Sequence, residues 1–301
     1  MDNNLQKISS SSLVNILTLR YDPSINPNLP KKNSQDFESR QQTPDVDLIE
    51  KSISNNIEQN LKSFDGQKVC IALSGGVDST LVLSLLQKIK PETEIEALSI
   101  KFANSVDETK AASKIANTFN VNHTVIELEN YLSELPRAIS MIKLPFWDLH
   151  WYYVAKKAQS VSKLLISGDG GDELFGGYTF RYKKFLSLTN PNSTPLEKTK
   201  AYLECHERDR VSDQQDIFSK KSNFSWNLIY EKLIPFFDNN LSNLEQVFLA
   251  DYNGKLLYNF NLVNSRIIDS LNMTLLTPIL NDELISSAPH MSLEHKYNSE
   301  T

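Results

Sequence analysis

Val69-Cys70-Ile71-Ala72-Leu73-Ser74-Gly75-Gly76-Val77-Asp78-Ser79-Thr80 is the stretch on which the reading of this chain turns. Five apolar residues run without polar interruption into a serine and two glycines. A short unbroken apolar run is what a strand covered on both faces requires. Helical spacing then takes over from Asp78 to Ile89. A strand, a tight turn and a helix start in that order aim the turn's backbone N–H groups and the positive end of the helix dipole at one point, which suits a phosphate chain. Ser74, Ser79 and Thr80 add hydroxyl groups. The pattern GxxxxGK[ST] is missing, and with it the lysine that reaches the outer phosphates in that motif. The same residues also suit a plain, well-capped turn, since Ser and Asp favour helix starts. The glycine pair alone does not separate the two.

The alternation repeats downstream. Val69–Leu73, Ile95–Phe102, Thr124–Leu128 and Lys163–Ser167 read as strands buried on both faces. Asp78–Ile89, Asp107–Phe119, Tyr131–Ile142 and His150–Gln159 read as helices. This predicts an α/β fold, a parallel sheet with helices on both faces, and ligands at the carboxyl ends of its strands. Upstream, Thr43-Pro44-Asp45 starts an amphipathic helix over 44–63. The expected division is an irregular N-terminal extension (1–43), the α/β core (44–190) and a mostly helical remainder (191–301). Within the extension, Leu13–Leu19 suits either a strand or a helix.

Composition narrows the function classes. The chain has 301 residues, 31 Lys+Arg against 37 Asp+Glu, and a net charge of −6, so it lacks an overall field for nucleic acid or anionic lipid. No apolar run approaches a membrane span, and two cysteines, Cys70 and Cys205, make neither a disulfide framework nor a zinc site. A cytoplasmic location is expected. There are nine glycines where about twenty would be usual. Seven of them lie in two places, at Gly75-Gly76 and in Ser167-Gly168-Asp169-Gly170-Gly171-Asp172-Glu173-Leu174-Phe175-Gly176-Gly177-Tyr178. Both places follow expected strands. In the second, Asp169, Asp172 and Glu173 fall within five residues and would repel one another unless a cation or a proton relieves them. Magnesium suits such a site because it takes few carboxylates and completes its shell with water and phosphate. A helix N-terminus also tolerates acidic residues.

Ser74 to Ser79 matches the SGGxDS pyrophosphate loop of the adenine nucleotide α-hydrolase-like (PP-loop) superfamily. Ser167 to Tyr178 resembles the SGDGGDELFGGY signature of asparagine synthetases. Asp107 to Ala112 and His123 resemble the helix and strand which that family places between the two motifs. The resemblance covers residues 46–185 well and 240–290 weakly. It implies ATP-dependent amidation of aspartate through β-aspartyl-AMP, releasing pyrophosphate and AMP, with ammonia from solution or from a separate glutaminase subunit. It assigns Asp78 and Asp172 to magnesium on the ATP phosphates. Ser74, Gly75, Gly76 and Ser79 become the pyrophosphate cradle, and Leu73, Ile100, Ser167 and Gly168 the adenosine pocket. Asp169 takes the place of the acidic residue needed to form the adenylate.

The match departs from the family at both ends. Asp2 stands where glutamine-dependent members have a nucleophilic cysteine, and too few residues precede 46 for their glutaminase domain. Leu17-Thr18-Leu19-Arg20-Tyr21 resembles the stretch joining the two domains. Leu276-Thr277-Pro278-Ile279-Leu280-Asn281 keeps the proline of the family's Arg-Val-Pro-Phe-Leu-Asp and loses both charges. The segment bearing the family's pyrophosphate lysine would come later, so the C-terminal part is expected to be incomplete. Two alternatives follow: a ligase acting on another carboxylic acid, as in β-lactam synthetase-like relatives, or an ATP-binding subunit that no longer catalyses. Cys70 reads as a core residue. Phe146, Trp147, Trp151, Tyr152 and Tyr153 read as core rather than as a substrate wall. Asp148 reads as a pocket residue or a helix cap, and Arg181 as the partner of a carboxylate or as part of a surface ion pair.

Overall fold

The computed structural model describes residues 9–39, 43–102, 107–144, 146, 149–207 and 214–298. Five parallel strands form one sheet: β1 (Val69–Ala72), β2 (Ile95–Phe102), β3 (Asn122–Leu128), β4 (Leu164–Ile166) and β5 (Thr274–Leu276), in the spatial order β3-β2-β1-β4-β5. The register pairs Ile71 with Ala97 on one side and with Ile166 on the other. Val69, Cys70, Ile71 and all of β4 are fully buried. Burial pushes the Cys70 thiol up to about 12, which suits an inert core residue.

The chain runs outward from β1 to β3, then returns to start β4 beside β1. Right-handed crossovers therefore put the helices α3 (Val77–Ile89) and α4 (Thr109–Thr118) on one face. Helices α5 (Leu135–Ile142) and α6 (His150–Gln159) lie on the other. The order reverses between β1 and β4, and both glycine segments leave the sheet from these two adjacent strands. Such a switch point is where open α/β sheets leave a crevice for ligand.

Two features differ from the sequence expectations, and a third settles a choice the sequence left open. The strand at 122–128 is not buried on both faces: it lies at the sheet edge, where most of its residues stay partly exposed. A fifth strand, β5, joins β4 from a region with no strand signal. The stretch Leu13–Leu19 belongs to helix α1 (Ser10–Leu19), capped by Ser9.

Helix α2 (Val46–Leu61), capped by Asp45, packs on α3. After β4 come α7 (Gly171–Phe175), α8 (Thr179–Leu188), α9 (Pro195–Cys205) and α10 (Gln214–Ile217). They are followed by α11 (Trp226–Phe237), α12 (Asn243–Asp251), a π-helical turn over Tyr252–Asn261, and α13 (Leu262–Ser270). The π segment keeps one continuous helix from Asn243 to Ser270 while changing which side chains face the sheet edge. Helices α14 (Asp282–Ser287) and α15 (Leu293–Lys296) end the described part. No helix among the described residues is long and apolar enough to cross a membrane.

Candidate active site

A cavity of about 290 Å³ opens at the carboxyl ends of β1, β2 and β4. It is lined by Leu73, Ser74, Asp78, Ser79, Ile100, Ser167, Gly168, Asp169 and Asp172, all singled out from the sequence. Gly75 and Gly76 form the turn beside it, and Gly76 caps α3 without a side-chain hydrogen bond. The first loop is internally tied. The Ser74 N–H donates to Ser79 Oγ at 3.3 Å, the Gly76 N–H to Ser74 Oγ at 3.2 Å, and Thr80 Oγ1 donates to the Gly76 carbonyl at 2.7 Å. The first-turn N–H groups of α3 have no partner within the helix, the usual state of a helix start.

The two loops are pressed together by glycine. A Cβ at Gly168 would sit 2.7 Å from both the Asp78 carbonyl carbon and the Ser79 nitrogen. A Cβ at Gly171 would collide with the Asp78 carboxylate. Glycine is needed at these two positions because another backbone, and then a charged group, occupies the space of a side chain. The outcome is that Asp78, from the first loop, faces the start of α7, from the second.

Electrostatics confirms how crowded this corner is. Burial, then the nearby charges of Asp172 and Asp169, push Asp78 up to about 6. Burial raises Asp169 to about 6, against the pull of His150, a hydrogen bond from Ser167, and Asn264, whose Nδ2 donates to its Oδ2 at 3.2 Å. Burial raises Glu173 to about 7. All three acidic residues of the second segment line the cavity: Glu173 accepts the Tyr178 hydroxyl at 2.5 Å, the Asp172 carboxylate lies against Gly177, and Asp78, from the first loop, lies against Gly171. Among the described residues, no three His, Cys, Asp or Glu side chains converge as a metal-binding set. A site of few carboxylates, with Asp78 raised by burial and by its acidic neighbours, fits magnesium that takes its other ligands from phosphate and water, and fits a closed structural site poorly.

Several further residues that the sequence did not assign to the site also line it. His150, Trp151 and Val154 come from α6, and Ser99, Glu108 and Thr109 from β2 and the start of α4. Trp151 is both a core residue and a cavity wall, so the core reading of the aromatic cluster is half the answer. Ser99 donates to the Leu73 carbonyl at 2.5 Å and meets His123 Nε2 at 2.8 Å, fixing the first strand end to the sheet edge. Tyr178 also lines the cavity, and Lys255, from the π turn, places Nζ 3.2 Å from its hydroxyl.

Arg181 is not part of a surface ion pair. It is 7% exposed, and its guanidinium stacks 3.4 Å from the Tyr178 ring centroid. Asp148 and Trp147 lie outside the described residues. The 276–281 segment borders the site without the family's charges. The Ser167 N–H donates to the Leu276 carbonyl at 3.0 Å, Leu280 fills the space over Gly170, and Asn281 caps α14 and accepts from Ser52.

Comparison with known proteins gives the family of the chain. The asparagine synthase family model matches residues 57–301. Asparagine synthetase [glutamine-hydrolyzing] 1 of Bacillus subtilis (strain 168) is 34% identical over 123 residues, 38% of this chain and 19% of that protein. Asparagine synthetase [glutamine-hydrolyzing] of Sandersonia aurantiaca is 27% identical over 196 residues, 58% of this chain and 34% of that protein. This chain therefore spans about a fifth to a third of the curated relatives it matches. Among solved structures, the NH3-dependent NAD synthetase from Campylobacter jejuni subsp. jejuni NCTC 11168 matches at a TM-score of 0.33 and 17% identity, over 66% of this chain and 100% of that one. With a family model matching most of its length and both signature loops meeting at the sheet's switch point, the chain belongs to the asparagine synthase family.

Proposed function

We propose that the chain is an ATP-dependent amide-forming ligase that activates a carboxylic acid, aspartate first among candidates, as its acyl-AMP and transfers the acyl group to ammonia. The observation that carries this reading is the meeting of Asp78 and the second loop across glycine contacts at the switch point, beside a cavity walled by Leu73, Ile100 and Trp151. The apolar wall takes the adenine, and the Ser74–Ser79 loop takes the pyrophosphate. Magnesium held by Asp78 and Asp172 would supply positive charge against the phosphate oxygens. A carboxylate oxygen of the acid attacks the α-phosphorus, the bond to the β-phosphate oxygen breaks, and pyrophosphate leaves. Ammonia then attacks the acyl carbon, AMP departs with the bonding pair, and a proton is lost from nitrogen. Asp169, held by Asn264, stands at the cavity wall beside the reacting groups.

The test is exchange of labelled pyrophosphate into ATP, run with aspartate and then with a panel of carboxylic acids. Aspartate-dependent exchange supports the reading. Exchange with another acid supports the same chemistry on another substrate. A second reading, nucleotide binding without ligation, follows from Leu276 and Asn281 standing where the family carries charge. It predicts calorimetric ATP binding with no AMP formed from any acid.

A further inference from the structure

The cavity opens where the ladder between β1 and β2 stops. The Leu73 N–H donates to the Leu98 carbonyl at 2.9 Å, and in a parallel pair the next rung would run from the Ile100 N–H to the Leu73 carbonyl. Among the described residues that rung is not made. The Leu73 carbonyl instead accepts the Ser99 hydroxyl at 2.5 Å. Leu73, Leu98, Ser99 and Ile100 all line the cavity at this point. The strand pair thus parts one rung early, and a side-chain hydroxyl takes the acceptor that would have kept it closed.

That hydroxyl is itself held. Ser99 is buried, and its oxygen lies 2.8 Å from His123 Nε2, while His123 Nδ1 lies 3.1 Å from Ser113 Oγ. Because Ser99 gives its proton to the Leu73 carbonyl, Nε2 is the donor to Ser99, and Nδ1 accepts from the Ser113 hydroxyl; the tautomer is assigned from these partners. Burial lowers the His123 pKa, in keeping with a ring that donates at one nitrogen and accepts at the other. The bonds run in one direction, from Ser113 on α4 through His123 on β3 and Ser99 on β2 to the end of β1. A free hydroxyl rotates, whereas this one makes both of its bonds in a single orientation.

We propose that Ser113, His123 and Ser99 form a positioning relay that holds β1 and β2 apart at Leu73, so that the Ile100 N–H stays available to an acceptor on a ligand in the cavity. The ligand half rests on the nucleotide reading above; the relay and the open rung do not. With the relay broken, the Leu73 carbonyl turns back to the Ile100 N–H, the ladder gains a rung and the cavity loses a donor. One backbone hydrogen bond is forgone to keep the pocket open, so breaking the relay weakens ligand binding without destabilising the chain.

The test is amide hydrogen exchange at Ile100, read beside calorimetric ATP binding, on the whole chain. In the unliganded wild type the Ile100 amide should exchange quickly. In Ser99→Ala it should slow roughly ten-fold or more as the rung forms, and ATP should bind about three- to ten-fold more weakly, with little change in the urea midpoint. The side-chain nitrogen of glutamine takes the place of Nε2, so His123→Gln should keep wild-type exchange and affinity. Asparagine is too short to reach Ser99, so His123→Asn should behave as Ser99→Ala does. A purely structural role would instead lower the urea midpoint in all three variants and leave exchange at Ile100 as it was. The relay is overturned if Ile100 exchanges alike in the wild type and Ser99→Ala, or if His123→Gln and His123→Asn behave alike. Slowed exchange with unchanged ATP affinity overturns the ligand half. A wild type that binds no ATP counts against the nucleotide reading, and the exchange result still decides the relay.

Discussion

Asp78 at the cavity and Asp251 in the helical part are both carboxylates removed from water, and the fold treats them in opposite ways. Asp251 is 1% exposed and accepts the Tyr202 hydroxyl at 2.7 Å, with His206 Nε2 at 3.6 Å and Arg181 at 3.9 Å. Burial pushes it up, but His206, Arg181 and Tyr202 together hold it below the ordinary carboxylate range. Asp78 loses solvent as well, yet its charged neighbours are Asp172 and Asp169, so nothing offsets the cost and its pKa rises to about 6. A structural carboxylate arrives with its cation. A carboxylate left beside two others in a cavity has no such partner in the fold, which is what the proposed function requires of a group that meets its cation together with the ligand.

The sharpest way to break this contrast is to neutralise Asp78. On the proposed function, Asp78→Asn should lower acid-dependent pyrophosphate exchange by about 100-fold or more, the size expected when the cation opposing phosphate charge loses its holding carboxylate. The same change removes a repulsive, desolvated charge, so the unliganded chain should melt higher, by roughly 2 °C or more. Activity and thermal unfolding, measured on one preparation, check both halves. A variant that stays active, or that melts lower, would place Asp78 among the structural carboxylates.

Asp251→Ala tests the other side. Arg181 would keep its charge while losing the carboxylate that offsets it, and the Tyr202 hydroxyl would lose its acceptor. Breaking a buried pair on one side costs about 3–5 kcal/mol, readable from the denaturation midpoint. A change below about 1 kcal/mol would show that water replaces the carboxylate and that the network is less closed than its geometry.

The contrast was only partly legible in the sequence. Both loops announce themselves, because two turns pressed together at strand ends need Gly where backbone or a charged group takes the place of a side chain, and this glycine-poor chain keeps seven of its nine glycines there. The α/β class follows from the same local alternation. β5 was not legible: Thr274–Leu276 is too short for its periodicity to register, and its pairing with β4 crosses more than a hundred residues. The exposure of β3 depends on strand order, which no residue within the strand encodes. Tyr178 lies in the signature, but its contact with Lys255 comes from 77 residues on. Asn264 reaches Asp169 from 95 residues away, out of a helix shifted by a π turn. Local patterns carry what backbone and turn require; side chains that meet only through packing leave no such trace.

The smallest expected effect, and the most discriminating, is on pH dependence. Asp78 and Asp169 titrate near 6 in the fold, and Glu173 near 7. Their ordinary values are 3.8, 3.8 and 4.5, so between about pH 4 and 7 the folded chain holds more protons at these groups than the unfolded chain does. Their contribution to stability is therefore fully present below about pH 4 and is lost as pH rises through 6 to 7. His123 acts in the opposite sense. Burial lowers its pKa, so its contribution is present above the ordinary histidine value of 6.5 and is lost as pH falls. Because the two overlap, the informative quantity is the difference between the wild type and Asp78→Asn, in which His123 cancels. The stabilising effect of Asp78→Asn should be smallest near pH 4, grow through pH 5 and level off above about pH 6.5, as measured by urea unfolding at each pH. Magnesium with ATP should remove the difference or reverse it, because a bound cation turns the ionised carboxylate from a cost into a contact. A difference independent of pH would mean that Asp78 keeps its ordinary pKa in the fold, and the contrast with Asp251 would fail.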